Sequence, residues 1–66
     1  MRVNGQTESL PESGMSLKGF LIHKGLKPEA VVVERNGEVV ERAAFESVLL
    51  QEGDALEILR FVGGGS

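Results

Sequence analysis

The sequence predicts a small α+β domain, with one helix packed on one face of a mixed sheet of about five short strands. Three observations support this fold class. Asn-Gly pairs occur at Asn4-Gly5 and Asn36-Gly37, and both residue types tolerate the positive φ that a type I′ hairpin turn requires. One segment with helical apolar spacing separates the two pairs, and an alternating segment lies near the C-terminus. Stacking a helix on a sheet buries the apolar face of each.

The two Asn-Gly pairs predict two β-hairpins. The first joins residues 1–4 to residues 6–10, and the second joins residues 30–35 to residues 38–41. These hairpins therefore supply every predicted strand except the last.

One helix is predicted between the hairpins, from a cap at Ser16 to a stop at Gly25. Leu17, Phe20 and Leu21 recur at i, i+3 and i+4, which places them on one helical face. Serine is a favoured N-cap, and glycine readily adopts the left-handed conformation that ends a helix. Because a helix of about two turns is marginal alone, we expect it to depend on the sheet.

The remaining elements are short. Residues 42–46 have helical composition with one strong apolar anchor, which predicts a single α or 3₁₀ turn. Residues 51–54 predict a tight turn, in which Gly53 can take a positive φ. Residues 55–62 alternate and predict the last strand. A single domain over residues 1–62 is therefore expected, followed by a flexible glycine tail over residues 63–66.

Composition excludes several classes of function. The 66 residues include no cysteine, so there is no disulfide framework, no thiolate metal site and no thiol nucleophile. A net charge of −3 is unsuited to sequence-independent nucleic-acid binding. No apolar run is long enough for a membrane span or a signal peptide. These features favour a cytoplasmic protein without nucleic-acid or membrane partners.

Side chains suited to catalysis are also scarce. His23 is the only histidine, and it has neither cysteine ligands nor a nucleophile near it in the sequence. The ten carboxylates are scattered, and a domain of this size offers little cleft to shift a pKa. We therefore expect no metal, no catalytic residue and solvated carboxylates.

Alternation along the last strand predicts an exposed apolar patch. Leu56 and Ile58 share one face, which we expect to meet the helix, whereas Leu59 and Phe61 share the other. Val32 is expected to lie on the same side as Leu59 and Phe61. A contiguous patch of this kind marks a partner-binding surface, but a short sheet can also leave hydrophobic residues on its wet side.

The sequence resembles the thiamine-biosynthesis sulfur carriers, the ThiS family of the ubiquitin-like β-grasp fold. The resemblance rests on the order of elements, on Val-Val-Val-Glu-Arg-Asn-Gly at 31–37 and on Glu-Gly-Asp at 52–54. Its most specific part is Leu-Glu-Ile-Leu-Arg-Phe-Val-Gly-Gly-Gly at 56–65. Together these features cover essentially the whole chain.

The resemblance implies a protein substrate and sulfur donor that is not itself an enzyme. In this family the C-terminal glycine carboxylate is adenylated by an E1-like, ThiF-like adenylyltransferase that uses ATP. It is then converted to a thiocarboxylate, which donates sulfur through a ThiG-like thiazole synthase to the thiazole ring of thiamine. Such a carrier binds no cofactor of its own and is a monomer when free.

The resemblance implies that Gly65 carries the reactive carboxylate in this chain. Gly63 and Gly64 would form the slender tail that enters the partner's channel, and Val32, Leu59 and Phe61 would dock the partner. Such carriers end in Gly-Gly, whereas this chain ends in Ser66. We therefore expect either that Ser66 is removed or that it is left over from cloning. Direct adenylation of Ser66 is a less attractive alternative, because its side chain adds bulk in a channel suited to glycine. A tail that is merely a frayed end or a linker is the alternative.

Two other functions are compatible with the sequence. One is the related molybdopterin-synthase small subunit, a MoaD-like carrier that also ends in Gly-Gly; the brevity of this chain and its Phe-Val-Gly-Gly-Gly ending favour the thiamine branch. The other is a non-conjugating β-grasp binding module whose tail is inert.

Overall fold

A computed structural model describes residues 1–61 of the chain. Its elements are β1 (Arg2–Val3), β2 (Gln6–Thr7), α1 (Leu17–His23), a 3₁₀ turn at Pro28–Ala30, β3 (Val31–Arg35), β4 (Glu38–Val40), a second 3₁₀ turn at Arg42–Ala44, and β5 (Ala55–Arg60). The strands form one five-stranded sheet in the order β2-β1-β5-β3-β4. The predicted α+β class, with one helix and a mixed sheet, is confirmed.

The first and last strands are neighbours in the middle of the sheet. β1 and β5 run parallel, whereas β1–β2, β3–β4 and β3–β5 are antiparallel pairs. A parallel pair needs a long crossover connection, and α1 with the second hairpin provides it here. β5 therefore has a hydrogen-bonded strand on each side, which fixes the orientation of its side chains.

Both Asn-Gly turns have the predicted conformation. The φ angles are 52° and 84° at Asn4 and Gly5, and 53° and 88° at Asn36 and Gly37. In the first turn the Asn4 side chain also extends the sheet, because its Oδ1 accepts from Ile58 N at 2.7 Å and its Nδ2 donates to Ile58 O at 3.2 Å. The strands of the first hairpin are only two residues each, shorter than predicted.

The helix begins and ends at the predicted signals. Ser16 Oγ accepts from Gly19 N at 3.0 Å, and Gly25 has a φ of 79° just beyond the helix end. Leu17, Phe20 and Leu21 are buried and face the sheet as part of the core. The other buried core residues are Met1, Val3, Leu10, Val31, Val33, Phe45, Leu50, Leu56 and Ile58.

The turn before β5 differs from the sequence-based expectation at Gly53 and at Asp54. The φ of Gly53 is not in the positive, left-handed range. Asp54 is only 6% exposed, although its carboxylate was expected to be solvated. The turn is instead shaped by the Asp54 carboxylate, whose Oδ2 accepts from Gln51 N at 2.9 Å.

The Asp54 carboxylate also ties this turn to the second hairpin. Its Oδ2 accepts from Arg35 Nε at 3.0 Å, and its Oδ1 accepts from Asn36 Nδ2 at 3.1 Å. Burial by itself would raise the pKa of Asp54, but the hydrogen bonds from Gln51, Asn36 and Arg35 and the charge of Arg35 outweigh it and hold the pKa below its ordinary value. Asp54 is therefore an ionised structural anchor.

Candidate docking face

The apolar patch predicted from the sequence is formed on the side of the sheet that faces away from α1, here called the open face. Val32 and Leu59 are direct cross-strand partners on β3 and β5. They are 37% and 65% exposed, and Phe61, two residues beyond Leu59, is 57% exposed. Phe61 N donates to Ala30 O at 3.0 Å, which keeps this residue in line with the strand. Val32, Leu59 and Phe61 therefore lie together on one exposed surface.

A buried layer supports the patch from behind. Leu56 and Ile58, the alternate residues of β5, point into the core, as do Val31 and Val33 of β3. Because β3 and β5 pair over five registered positions, the patch lies on the longest ladder of the sheet. Its side chains project from a backbone that packing holds in place, which is the arrangement a binding surface needs.

Three residues of the open face were not singled out from the sequence. Val39 of β4 is 63% exposed and pairs with Glu34 of β3, which in turn pairs with Glu57 of β5. The two-residue Asn36-Gly37 turn fixes the register of the hairpin, so the position of Val39 opposite Glu34 could have been read from the sequence. The pairing of Glu34 with Glu57 depends on the contact between β3 and β5, which are distant in sequence.

The described residues contain no constellation suited to catalysis. His23 is exposed at the end of α1, and residues 1–61 include no cluster of three potential metal ligands. On the helix side, Lys18 Nζ lies 2.7 Å from Glu46 Oε2. This hydrogen bond and the attraction between the charges raise the pKa of Lys18 and lower the pKa of Glu46, as in an ordinary surface ion pair.

The remaining predicted site residues, Gly63, Gly64 and Gly65, lie outside the described residues together with Val62 and Ser66. Phe61 is the last described residue, so the apolar patch directly precedes them in the chain. None of the helices within residues 1–61 has the length and apolar character needed to cross a membrane.

A mixed sheet with parallel terminal strands and one helix across a single face defines this chain as a ubiquitin-like β-grasp domain, and its most prominent surface feature is an exposed apolar patch. Comparison with known proteins identifies the family. The model of the ThiS family matches residues 1–65, and the chain therefore belongs to the ThiS family.

Individual relatives agree with this assignment. The sulfur carrier protein ThiS of Bacillus subtilis is 31% identical over 65 residues, which make up 98% of each chain. The crystal structure of the thiamine biosynthesis protein ThiS from Geobacter metallireducens superposes with a TM-score of 0.82 at 38% identity, covering 97% of this chain and 96% of that one. The similarity to these two ThiS proteins thus extends over nearly the whole length of each chain.

A second kind of relative is much longer. The thiazole synthase of Magnetococcus marinus is 43% identical over 65 residues, which are 98% of this chain but 20% of that protein. The thiazole synthase of Paramagnetospirillum magneticum is 38% identical over 64 residues, or 97% of this chain and 19% of that protein. The chain spans about a fifth of the length of these thiazole synthases.

Proposed function

We propose that this protein is a sulfur carrier for the formation of the thiazole ring of thiamine. The observation that carries the proposal is the match, along nearly the full length of both chains, to the sulfur carrier protein ThiS of Bacillus subtilis. The exposed apolar patch supports it, because a carrier that is modified by other enzymes needs a surface on which they dock. Such a protein is a substrate and not a catalyst, and it acts as a monomer in the cytoplasm.

The proposed chemistry takes place at the C-terminal carboxylate. A carboxylate oxygen attacks the α-phosphorus of ATP on an E1-like, ThiF-like enzyme, which forms an acyl adenylate and releases pyrophosphate. The terminal sulfur of a persulfide formed from cysteine then attacks the acyl carbon and expels AMP. A thiol reduces the resulting acyl disulfide, which leaves the thiocarboxylate on the carrier and a disulfide on the donor. Binding of ATP belongs to the partner, so the carrier needs no cofactor of its own.

Gly65 is the proposed acyl residue. The region matched by the ThiS family ends at residue 65, one residue before Ser66, which supports a functional terminus at Gly65. Glycine has no β-carbon, so Gly63 and Gly64 would allow the chain to enter a narrow channel.

A thiazole synthase is the proposed acceptor of the sulfur. Two proteins named thiazole synthase contain a region similar to this entire domain. Joining two activities in one chain raises their effective concentration, so such a fusion is expected where the two domains work on each other. This observation favours the thiamine pathway over the molybdopterin alternative.

Intact mass spectrometry tests the proposed chemistry. A chain ending at Gly65 is incubated with a ThiF-type adenylating enzyme, ATP and a sulfide source, and the mass gain expected is that of one oxygen replaced by sulfur. A chain that lacks residues 64–66 is the negative control. Absence of a thiocarboxylate on the chain ending at Gly65 contradicts the proposal, and full function of the truncated chain would indicate a simple binding module.

A double variant tests the role of the apolar patch. Leu59→Asp with Phe61→Asp should abolish thiocarboxylate formation, because it places two carboxylates in an apolar contact. The matched control is Ile22→Asp with Leu49→Asp, since these two residues are also exposed, at 57% and 54%, but lie outside the patch. Both double variants should retain the circular dichroism spectrum of the folded chain. Equal activation of the two would refute docking through the patch.

A further inference from the structure

The centre of the open face carries an unusual charge arrangement. Glu34 and Glu57 are direct cross-strand partners on β3 and β5, and both are exposed. Residues directly opposite each other on antiparallel strands have β-carbons about 5 Å apart, and like charges at such positions are destabilising. The sheet therefore bears an electrostatic cost at this position.

No cation of the described residues is paired with either glutamate. Among residues 1–61, neither Glu34 nor Glu57 forms an ion pair within 4.0 Å. Arg35 follows Glu34 in sequence, but it points to the opposite side of the sheet and binds Asp54. Arg2 lies on the open face opposite Ala55, and its guanidinium donates to Gly5 O at 3.4 Å. The two carboxylates are therefore available to a partner.

Apolar side chains adjoin the carboxylate pair on one side, whereas Asn4 of the first turn lines the other. Val39 of β4 is the cross-strand partner of Glu34. The Val32–Leu59 pair is the next pair on the same face of β3 and β5. Val32, Leu59 and both glutamates line one shallow concavity of about 250 Å³. A cation in this concavity would meet the carboxylates of both glutamates and the aliphatic side chains of Val32 and Leu59.

An arginine side chain suits two carboxylates that lie beside aliphatic side chains. A guanidinium is planar, presents five N–H donors in a fixed fork and is weakly hydrated, so it can donate to two carboxylates while packing on aliphatic groups. A lysine ammonium is a compact and strongly hydrated charge, which suits an apolar rim less well. Charge complementarity thus points to arginine as the occupant.

We propose that the open face binds its activating enzyme through an arginine of that enzyme, held between Glu34 and Glu57, while apolar side chains of the enzyme cover Val32, Leu59 and Val39. The inference rests on the proposed function, because it deepens the docking step of sulfur activation. Glu34 and Glu57 are positioning residues in this scheme and take no part in the chemistry at the C-terminus.

The test compares two variants with the same change in net charge. Glu34→Gln with Glu57→Gln removes the carboxylate pair, and Glu12→Gln with Glu41→Gln removes two exposed carboxylates elsewhere on the surface. Binding to a ThiF-type adenylating enzyme is measured by titration calorimetry at several salt concentrations. The first variant should lose affinity by about tenfold or more and show a weaker dependence on salt, whereas the second should bind like the original chain.

Stability provides an independent readout. Because the substitution relieves repulsion, the Glu34→Gln, Glu57→Gln variant should unfold at the same urea concentration as the original chain or at a higher one. Lower affinity in a protein of undiminished stability would then reflect the lost contact and not a damaged fold.

Three results would overturn the inference. The first is an equal loss of affinity in both double variants, and the second is unchanged affinity in the Glu34→Gln, Glu57→Gln variant. The third is self-association of the original chain that disappears in that variant, because a second copy would then be the occupant of the open face. Failure of the proposed function is a separate outcome: the original chain would then bind the enzyme selectively through these glutamates but acquire no thiocarboxylate.

Discussion

Replacing Asp54 by asparagine is a nearly isosteric change that should nevertheless destabilise the fold. All three partners of the Asp54 carboxylate are donors, namely Gln51 N, Arg35 Nε and Asn36 Nδ2. An asparagine side chain has only one acceptor oxygen, so its NH₂ group would face one of the three donors. Asn36 cannot turn its own amide to compensate, because its Oδ1 already accepts from Ala55 N at 3.0 Å.

The size of the effect follows from these contacts. The substitution removes a charge-assisted hydrogen-bond acceptor, for which losses of about 1.5–3 kcal/mol are typical, and it leaves one donor unpaired at a buried site. The Arg35 side chain is 30% exposed, which weakens its charge interaction with Asp54. We expect a loss of about 2–3 kcal/mol, which for a domain of this size lowers the melting temperature by about 10–20 °C.

Urea unfolding at two pH values is the appropriate assay. The pKa of Asp54 is lower in the folded chain than in the unfolded chain, so its stabilisation is complete well above the ordinary carboxyl pKa of about 3.9 and is lost as the pH falls through the folded-state pKa. The difference in unfolding free energy between Asp54→Asn and the original chain should therefore be largest near neutral pH and shrink in acid.

The exposed Glu41→Gln variant is the control, and its stability should match that of the original chain. If the unfolding free energies of Asp54→Asn and the original chain differ by less than about 0.5 kcal/mol at neutral pH, the hydrogen bonds of the Asp54 carboxylate do not stabilise the fold as argued. A large difference that does not change with pH would show that the charge of Asp54 is not its source.

Two further predictions concern glycines and the helix cap. Gly37→Ala should cost about 1 kcal/mol, because residue 37 has a φ of 88°, whereas Gly53→Ala should be nearly neutral in urea unfolding, since open space surrounds it at an ordinary φ; equal costs would contradict this. Ser16→Ala should cost about 1 kcal/mol through loss of the cap. A β-carbon at Gly19 would lie 3.2 Å from Ser16 Oγ, so the usual gain of about 1 kcal/mol from Gly19→Ala should be realised only in the Ser16→Ala background. Additive effects in this double-mutant cycle would show that the two positions are independent.

Local signals in the sequence determined most of the fold. The Asn-Gly turns, the Ser16 cap and the Gly25 stop each act within a few residues, and their positions in the structure agree with the prediction. Alternation within β5 also placed Leu59 and Phe61 on one face, and the expectation that Leu56 and Ile58 meet the helix made that face the exposed one. The apolar patch was thus predictable because side-chain direction in a strand repeats every second residue.

Tertiary structure decided what depends on contacts between distant segments. The pairing of Glu34 with Glu57 exists only because β3 and β5 are adjacent and in one particular register, which neither segment specifies by itself. The burial of Asp54 likewise requires donors from the second hairpin, so local polarity wrongly suggested a solvated carboxylate. The sequence alone determined which residues could form a docking surface, and the sheet topology decided which charges lie beside it, since side chains distant in the chain meet only after the strands pair.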